Sequence, residues 1–311
     1  MRIVFMGTPQ PAADVLESLL KSDHDIVLVV SQPDRPKGRG KKLAVSQVKE
    51  VALKNNLPIA QPEKVKDPAF IGKVKDLKPD AIVVVAYGRI LPKAILAVPK
   101  QGCLNLHASL LPKYRGASPI QSALLNGDTE TGITVMKIDE GLDTGEMIAQ
   151  DKIVISPDDD AISLSEKLFA VGGKLLVQVL KEIELGKVKY VKQDNSQATQ
   201  APLIKKEQGI IDWNKSAAEI HNKIRALVAW PGAQTVLAGK RIKIYKSELR
   251  TDNSELRTGQ IIEIIKQKGF VVSTGEGSLL VREVQAEGKK RMSAFDFALG
   301  QQLNVGTNIS A

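Results

Sequence analysis

The sequence predicts an α/β protein: a Rossmann-like, doubly wound, mostly parallel sheet, followed by a smaller OB-like β-barrel domain. Three observations predict it. Over residues 1 to about 155, continuous Val/Ile-rich runs such as AIVVVA at 81–86 alternate with amphipathic stretches. Runs of that kind belong to parallel strands buried on both faces. Beyond Lys205 the apolar runs become short and alternating, with regular turns, which is the pattern of a small barrel. Finally, 311 residues are about the right length for two domains.

The elements follow in order. Residues 2–6 form a first strand closed by Gly7, which permits a tight turn into a helix over 9–20. Residues 26–30 form a second buried strand. Residues 44–56 and 67–77 have helical spacing, and 81–86 is a central strand. Residues 104–107 and 133–138 are strands, with a helix over 117–126 between them. Residues 161–185 place Leu164, Leu168, Val171, Leu175, Val179 and Ile183 at steps of three or four, so this long helix has a core face. The polar, aperiodic stretch around 188–202 is expected to be the linker. The division is then 1–189, a 190–205 linker and 206–311. In the last part Ser216 caps a helix running to about Trp230, which Pro231-Gly232 ends. Short strands follow over 235–237, 241–245, 260–265, 270–273 and 279–284, with Trp213 and His221 assigned to packing.

Composition narrows the function. Hydrophobic content of 43% with 25% charged residues is that of a globular protein. The single cysteine, Cys103, rules out an internal disulfide, excludes a Cys-based zinc site and fits a reducing compartment. The amino-terminal MRIVFMGTPQ lacks the apolar stretch of a signal peptide, and no apolar run approaches the ~20 residues of a membrane helix. A soluble, cytoplasmic protein is expected, and a monomer, with no membrane partner. His24, His107 and His221 are far apart in the chain, so no metal is expected. The first strand–turn–helix, MGTPQPA, is not GxGxxG, and no GxxxxGK[ST] occurs, which argues against a nucleotide cofactor. The net charge of +9 suggests a polyanionic partner. Residues 206–311 carry 16 Lys and Arg against 11 Asp and Glu and are the more basic part per residue.

The chemistry points to CLNLHASLLPKYRG, residues 103–116. Strand alternation puts Asn105 and His107 on one face at a strand's carboxyl end, where α/β folds place their sites. The turn Ser109-Leu110-Leu111-Pro112 follows. Asp139-Glu140-Gly141-Leu142-Asp143-Thr144-Gly145 leaves the strand at 133–138, with glycines flanking Asp143. A carboxylate beside a histidine orients the ring and stabilises its charged form. Gly88 in the loop with Arg89, Ile90 and Leu91 allows close ligand approach, and such a loop can offer bare backbone groups to a flat heterocycle. Residues 34–42 carry five cations, among them Arg35, Arg39, Lys41 and Lys42, one anion, a proline and two glycines. This is expected to be a mobile basic loop suited to a phosphate backbone, overhanging the same sheet edge as His107.

Together Asn105-x-His107, Ser109 to Pro112 and Leu142-Asp143-Thr144-Gly145 resemble the folate-dependent formyltransferases. The basic stretch at 33–42 resembles the insertion loop of those members that act on methionyl-tRNA. So do Ile211-Asp212-Trp213 and Trp230-Pro231-Gly232-Ala233. The resemblance covers nearly the whole chain. It departs at Lys37 and Ser118, where alanine is expected, and at Val228-Ala229, where Asn-Pro is usual. It implies a 10-formyltetrahydrofolate donor and initiator methionyl-tRNA as acceptor. Asn105, His107 and Asp143 are implied as catalytic. Ser109, Leu110, Leu111, Pro112, Arg89, Ile90, Leu91 and Asp139 are implied on the folate side, and Arg35, Arg39, Lys41 and Lys42 on the tRNA. Two other readings account for parts of the sequence: a formyltransferase acting on a small amine such as an amino sugar nucleotide, or a non-catalytic RNA-binding protein.

Overall fold

The structure is a computed structural model that describes residues 1–37, 42–237, 239–250 and 257–310. Chain packing divides it into two units. The first comprises Met1–Gly116, Glu130–Val154 and Ser165–Ala201, and the second Ala117–Thr129, Ile155–Leu164 and Pro202–Ala311.

The first part of the chain runs β1 (Arg2–Gly7), α1 (Gln10–Leu20), β2 (Asp25–Val30), β3 (Arg35–Lys37), β4 (Lys42–Ala44), α2 (Gln47–Lys54), β5 (Ile59–Ala60) and α3 (Pro68–Asp76). It continues through β6 (Ala81–Val85), α4 (Lys93–Leu96), β7 (Cys103–His107), β8 (Arg115–Gly116), α5 (Pro119–Leu125), β9 (Glu130–Lys137), β10 (Met147–Val154) and α6 (Ala161–Glu184). The main sheet has the order β10-β9-β7-β6-β1-β2-β5. Strands β7, β6, β1, β2 and β5 are mutually parallel, and β9 and β10 add an antiparallel flank.

The sequence explains most of this. Every residue of β6 is buried, as its unbroken Ala-Ile-Val-Val-Val requires. Ser46 accepts from the Lys49 amide at 3.2 Å and starts α2 three residues later than the apolar spacing alone suggested. Asp67 caps α3 in the same way. Strand β10 was not foreseen, because its side chains are half-buried or exposed and carry no apolar alternation. After β1 the chain builds outward through β2 and β5, then returns to add β6 and β7 on the other side. The order therefore reverses between β1 and β6, and the carboxyl ends there form the crevice where such sheets bind ligands.

After the short strand β11 (Gln200–Ala201) come α7 (Ala217–Ala226), β12 (Ala233–Leu237), β13 (Lys240–Arg250), β14 (Ile261–Ile265), β15 (Gly269–Ser273), β16 (Ser278–Ala286), β17 (Met292–Ser293), α8 (Ala294–Gly300) and β18 (Ile309–Ser310). Ser216 and Glu219 form a reciprocal capping box at the start of α7. That helix ends near Ala226, short of the expected Trp230, and α8 was not anticipated. The strands pair antiparallel in the order β14-β15-β16-β13-β12-β18. The Ile309 amide then donates to the Gly259 carbonyl at 2.7 Å, and the Ile261 amide to Thr307 at 2.9 Å. These bonds join the two ends of the sheet, so it closes into a barrel. Its core includes Trp213, Ile220, Ile224, Ile242, Phe270, Val281 and Phe297. Trp213 also donates from Nε1 to Thr235 at 3.0 Å, which satisfies its buried polar atom.

Candidate active site

Strand β7 is buried except at Asn105, which is half-buried; His107 is 5% exposed. Its partners are β6 on one side and β9 on the other. The turn after β9 brings Asp143 back to the end of β7. Asn105 Nδ2 approaches Asp143 Oδ1 at 3.5 Å, and His107 Nδ1 lies 3.6 Å from Asp143 Oδ2. The structure thus brings together the three residues singled out from widely separated motifs.

Backbone groups hold this trio. The Gly116 amide donates to Asp143 Oδ2 at 2.9 Å. His107 Nε2 faces the Tyr114 carbonyl at 2.9 Å. A carbonyl can only accept, so Nε2 carries a hydrogen and donates it. Nδ1 is then the ring atom left for Asp143 and for chemistry. Asp143 itself sits at φ 53°, in the left-handed region that L residues rarely adopt and that costs of order 1–3 kcal/mol. Gly145 packs so tightly on Lys137 that a Cβ there would run into the carbonyl oxygen.

The turn after β7 is anchored from within. Ser109 is fully buried and donates to the Lys113 carbonyl at 2.7 Å. Thr134 on β9 donates to the Ser109 carbonyl at 2.6 Å and accepts from the Leu111 amide at 3.3 Å and from Gln150 at 2.9 Å. Gln150 also donates to the Leu111 carbonyl at 2.9 Å. Ser109 and Leu111 are buried parts of the turn, whereas Leu110 and Pro112 are half-buried.

Two loops flank the trio. Arg89 is fastened to the Glu63 carbonyl, Leu91 is buried, and Ile90 is 90% exposed. Asp139 closes its own loop, accepting from the Gly141 amide and the Thr144 hydroxyl, and Leu142 there is 62% exposed. Glu140 in the second loop pairs at 2.7 Å with Lys93, at the start of α4 just after the first. Cys103 is not a rival nucleophile: burial pushes its thiol up to about 12.

The basic loop leaves β2 at the same sheet edge. Its stems pair as the hairpin β3–β4, with Lys37 opposite Lys42 and Arg35 exposed. Arg39 and Lys41 lie outside the described residues. At the root of the loop, Lys49 bonds Asp34 Oδ2 at 2.5 Å and Gln61 bonds Oδ1 at 2.8 Å. Those two bonds hold the Asp34 carboxyl below its usual range.

Sequence reasoning missed a group of positioning side chains. Residues 190–201, expected to be linker, run along the first unit. Val191 pairs with Met147, and β11 pairs with β8. Gln193 donates to the carbonyls of Asp143 and Gly145, each at 2.8 Å, and accepts from Arg115. Thr199 accepts from the Tyr114 amide at 2.9 Å. A run this rich in Gln, Asn, Ser and Thr has no apolar period, so only its hydrogen-bonding capacity signalled a role.

The second unit has an open cavity of about 760 Å³ lined by His221, Tyr245, Arg282 and Arg291 among others. Two of its cations have partners within the protein: Arg282 bonds Glu248 at 2.6 Å, and Arg291 stacks 3.5 Å over the Tyr245 ring. Among the described residues, no helix is long and apolar enough to cross a membrane, and no cluster of three His, Cys, Asp or Glu could hold a metal ion.

Residues 1–180 match the family described as formyl transferase, and 203–302 match the formyl transferase C-terminal domain. The chain is 47% identical to the methionyl-tRNA formyltransferase of Trichlorobacter lovleyi, covering 98% of this chain and 96% of that one. It is 48% identical to the methionyl-tRNA formyltransferase of Caldicellulosiruptor saccharolyticus, with both chains fully covered. Among solved structures, an N-formyltransferase from Helicobacter canadensis in complex with folinic acid and dTDP-3-aminofucose superposes with a TM-score of 0.68. It is 23% identical, over 91% of this chain and 98% of that one. HypX from Aquifex aeolicus with tetrahydrofolic acid superposes with a TM-score of 0.67 at 16% identity, over 98% of this chain and 48% of that one. At these identities the structural likeness speaks for the fold alone.

Proposed function

The chain belongs to the formyl transferase family, and from that premise we propose that it moves the formyl group of 10-formyltetrahydrofolate to the α-amino group of methionyl initiator tRNA. The observation that carries this reading is the meeting of Asn105, His107 and Asp143 at the carboxyl end of β7. The curated relatives at 44–48% identity share one name, which favours the tRNA acceptor over a small amine. The intact trio argues against a purely RNA-binding role.

The residues suit a folate. Ile90 and Leu142 offer apolar surface on two loops, as a flat heterocycle requires. Backbone groups at Arg89, Ile90, Leu91 and Asp139 would hold it, and the turn from Ser109 to Pro112 would wall the site. The donor supplies an activated formyl group on N10. Asn105 offers its amide hydrogen to the formyl oxygen as negative charge develops there, and such a donor is worth roughly 3–4 kcal/mol. His107, held by Tyr114 through Nε2, presents Nδ1 to the same region. His107 Nδ1 and Asp143 take the proton that the attacking amine gives up. The amine nitrogen bonds to the formyl carbon as it loses that proton, and the pair returns the proton to N10 as the bond from the formyl carbon to N10 breaks.

Residues 1–189 act as the catalytic domain in this reading, and residues 206–311 as the tRNA-binding domain. Arg35, Arg39, Lys41 and Lys42 contact the tRNA backbone. The reading sets the protein in the cytoplasm, where translation initiation uses the product. A monomer suffices, since one chain supplies the whole trio. The test is formylation of charged initiator tRNA from 10-formyltetrahydrofolate by the purified protein. Formylmethionyl-tRNA is the expected product. Donor turnover without it would move the acceptor to a small amine or water.

A further inference from the structure

We propose that Gln193 and Arg115 are positioning residues for the transfer, locking His107 and Asp143 into one arrangement; this rests on the formyl-transfer reading above. Arg115 is 5% exposed and donates to Gln193 Oε1 from Nε at 3.0 Å and from Nη2 at 2.8 Å. Nη2 also donates to Asn195 Oδ1 at 2.8 Å. This fork fixes which way the Gln193 amide points: its oxygen faces the guanidinium, so its nitrogen faces the Asp143 and Gly145 carbonyls, each 2.8 Å away.

The main chain on either side of Arg115 completes the lock. The preceding carbonyl, of Tyr114, holds His107 Nε2, and the following amide, of Gly116, holds Asp143 Oδ2. One buried arginine therefore joins, in the chain, the two peptide groups that grip the catalytic pair. It also braces, through Gln193, the left-handed turn on which Asp143 rides. A residue at positive φ persists only where its surroundings determine it. Gln193 supplies that determination from 50 residues away in the sequence. Thr199 holds the strand itself, its hydroxyl accepting from the Tyr114 amide and its carbonyl from the Arg115 amide, each at 2.9 Å. Neither Gln193 nor Arg115 has to touch substrate to affect the rate, because a misplacement of about 1 Å in a reacting group costs on the order of a hundredfold.

The test uses the full-length protein with Gln193→Ala and Gln193→Glu. Glutamate keeps the size and the Arg115 pairing but turns an oxygen toward two carbonyls. Steady-state formyl transfer separates kcat from KM for both substrates, and amide hydrogen exchange at Gly116 reports the hold on Asp143. The expected result for both variants is kcat lower by about a hundredfold, KM unchanged, and faster Gly116 exchange. Wild-type kcat in folded Gln193→Glu overturns the proposal. So does an effect confined to KM, or a loss of kcat with Gly116 exchange unchanged. If Gln193→Ala does not fold, Gln193→Glu gives the answer. If the wild type transfers no formyl group, the functional reading fails by itself, and Gly116 exchange in Gln193→Glu still decides: faster exchange supports the lock and unchanged exchange overturns it.

Discussion

Asp143 Oδ2 stands 3.6 Å from His107 Nδ1, while the other nitrogen of that ring is occupied by the Tyr114 carbonyl. The pair is therefore poised at one ring atom. Asp143→Asn isolates the charge. Asparagine tolerates the left-handed backbone at φ 53° and its side-chain oxygen can still accept from Gly116, so the fold should hold. The expected outcome is a kcat lower by roughly 10²–10⁴-fold with an unchanged unfolding midpoint. Near-normal kcat would remove Asp143 from the proton path.

The basic loop makes a separate prediction. Arg39, Lys41 and Lys42 replaced together by Ala should raise KM for the tRNA and leave folate binding alone. Each lost phosphate contact flattens the salt dependence by close to one, so three should reduce the log–log slope by about 3. Kinetics measured at two ionic strengths check this. Wild-type KM and slope would mean that the loop does not meet the nucleic acid.

Thr134 tests the architecture rather than the chemistry. It is fully buried and satisfies Ser109, Leu111 and Gln150 at once. Thr134→Val keeps the shape and strips those bonds. Leaving buried polar groups unpaired should cost about 1–3 kcal/mol in denaturant unfolding. A loss below the error of the measurement would show that the turn is held by packing alone.

His221 carries a pH signature. Burial pushes its imidazole below the ordinary 6.5, and the neighbouring Arg225 guanidinium pushes the same way, while the Pro157 backbone and Asp158 oppose them. The unfolded chain then binds the proton first. Stability from this group is intact above pH 6.5, and falls as pH drops from there toward the lower folded value. His24 acts in the same direction, through burial and the Met1 ammonium. Thermal midpoints at pH 5, 6 and 7 should therefore rise with pH, and His221→Asn should flatten the rise. An equal slope in that variant would assign the effect elsewhere.

How much of this was legible in the sequence follows from what each residue has to do. Asn105 and His107 could be found because a strand alternates, and Asp143 because glycines bracket it at a strand end. The parallel core announced itself because strands buried on both faces must be apolar throughout. Strand β10 did not, since an exposed edge places no such demand on its side chains. Gln193 and Thr199 escaped for a related reason: their work is done by hydrogen bonds to main-chain groups distant in sequence, which leave no period and no charge. The role of Tyr114 was invisible because its carbonyl, common to every residue type, does the holding.

The most direct test of the trio is single-turnover formyl transfer by His107→Ala, with 10-formyltetrahydrofolate and charged initiator tRNA both bound. The expected result is a folded protein that binds both substrates and forms formylmethionyl-tRNA at least about a hundredfold more slowly than the wild type. Transfer at the wild-type rate would contradict the assignment of the reaction to the end of β7.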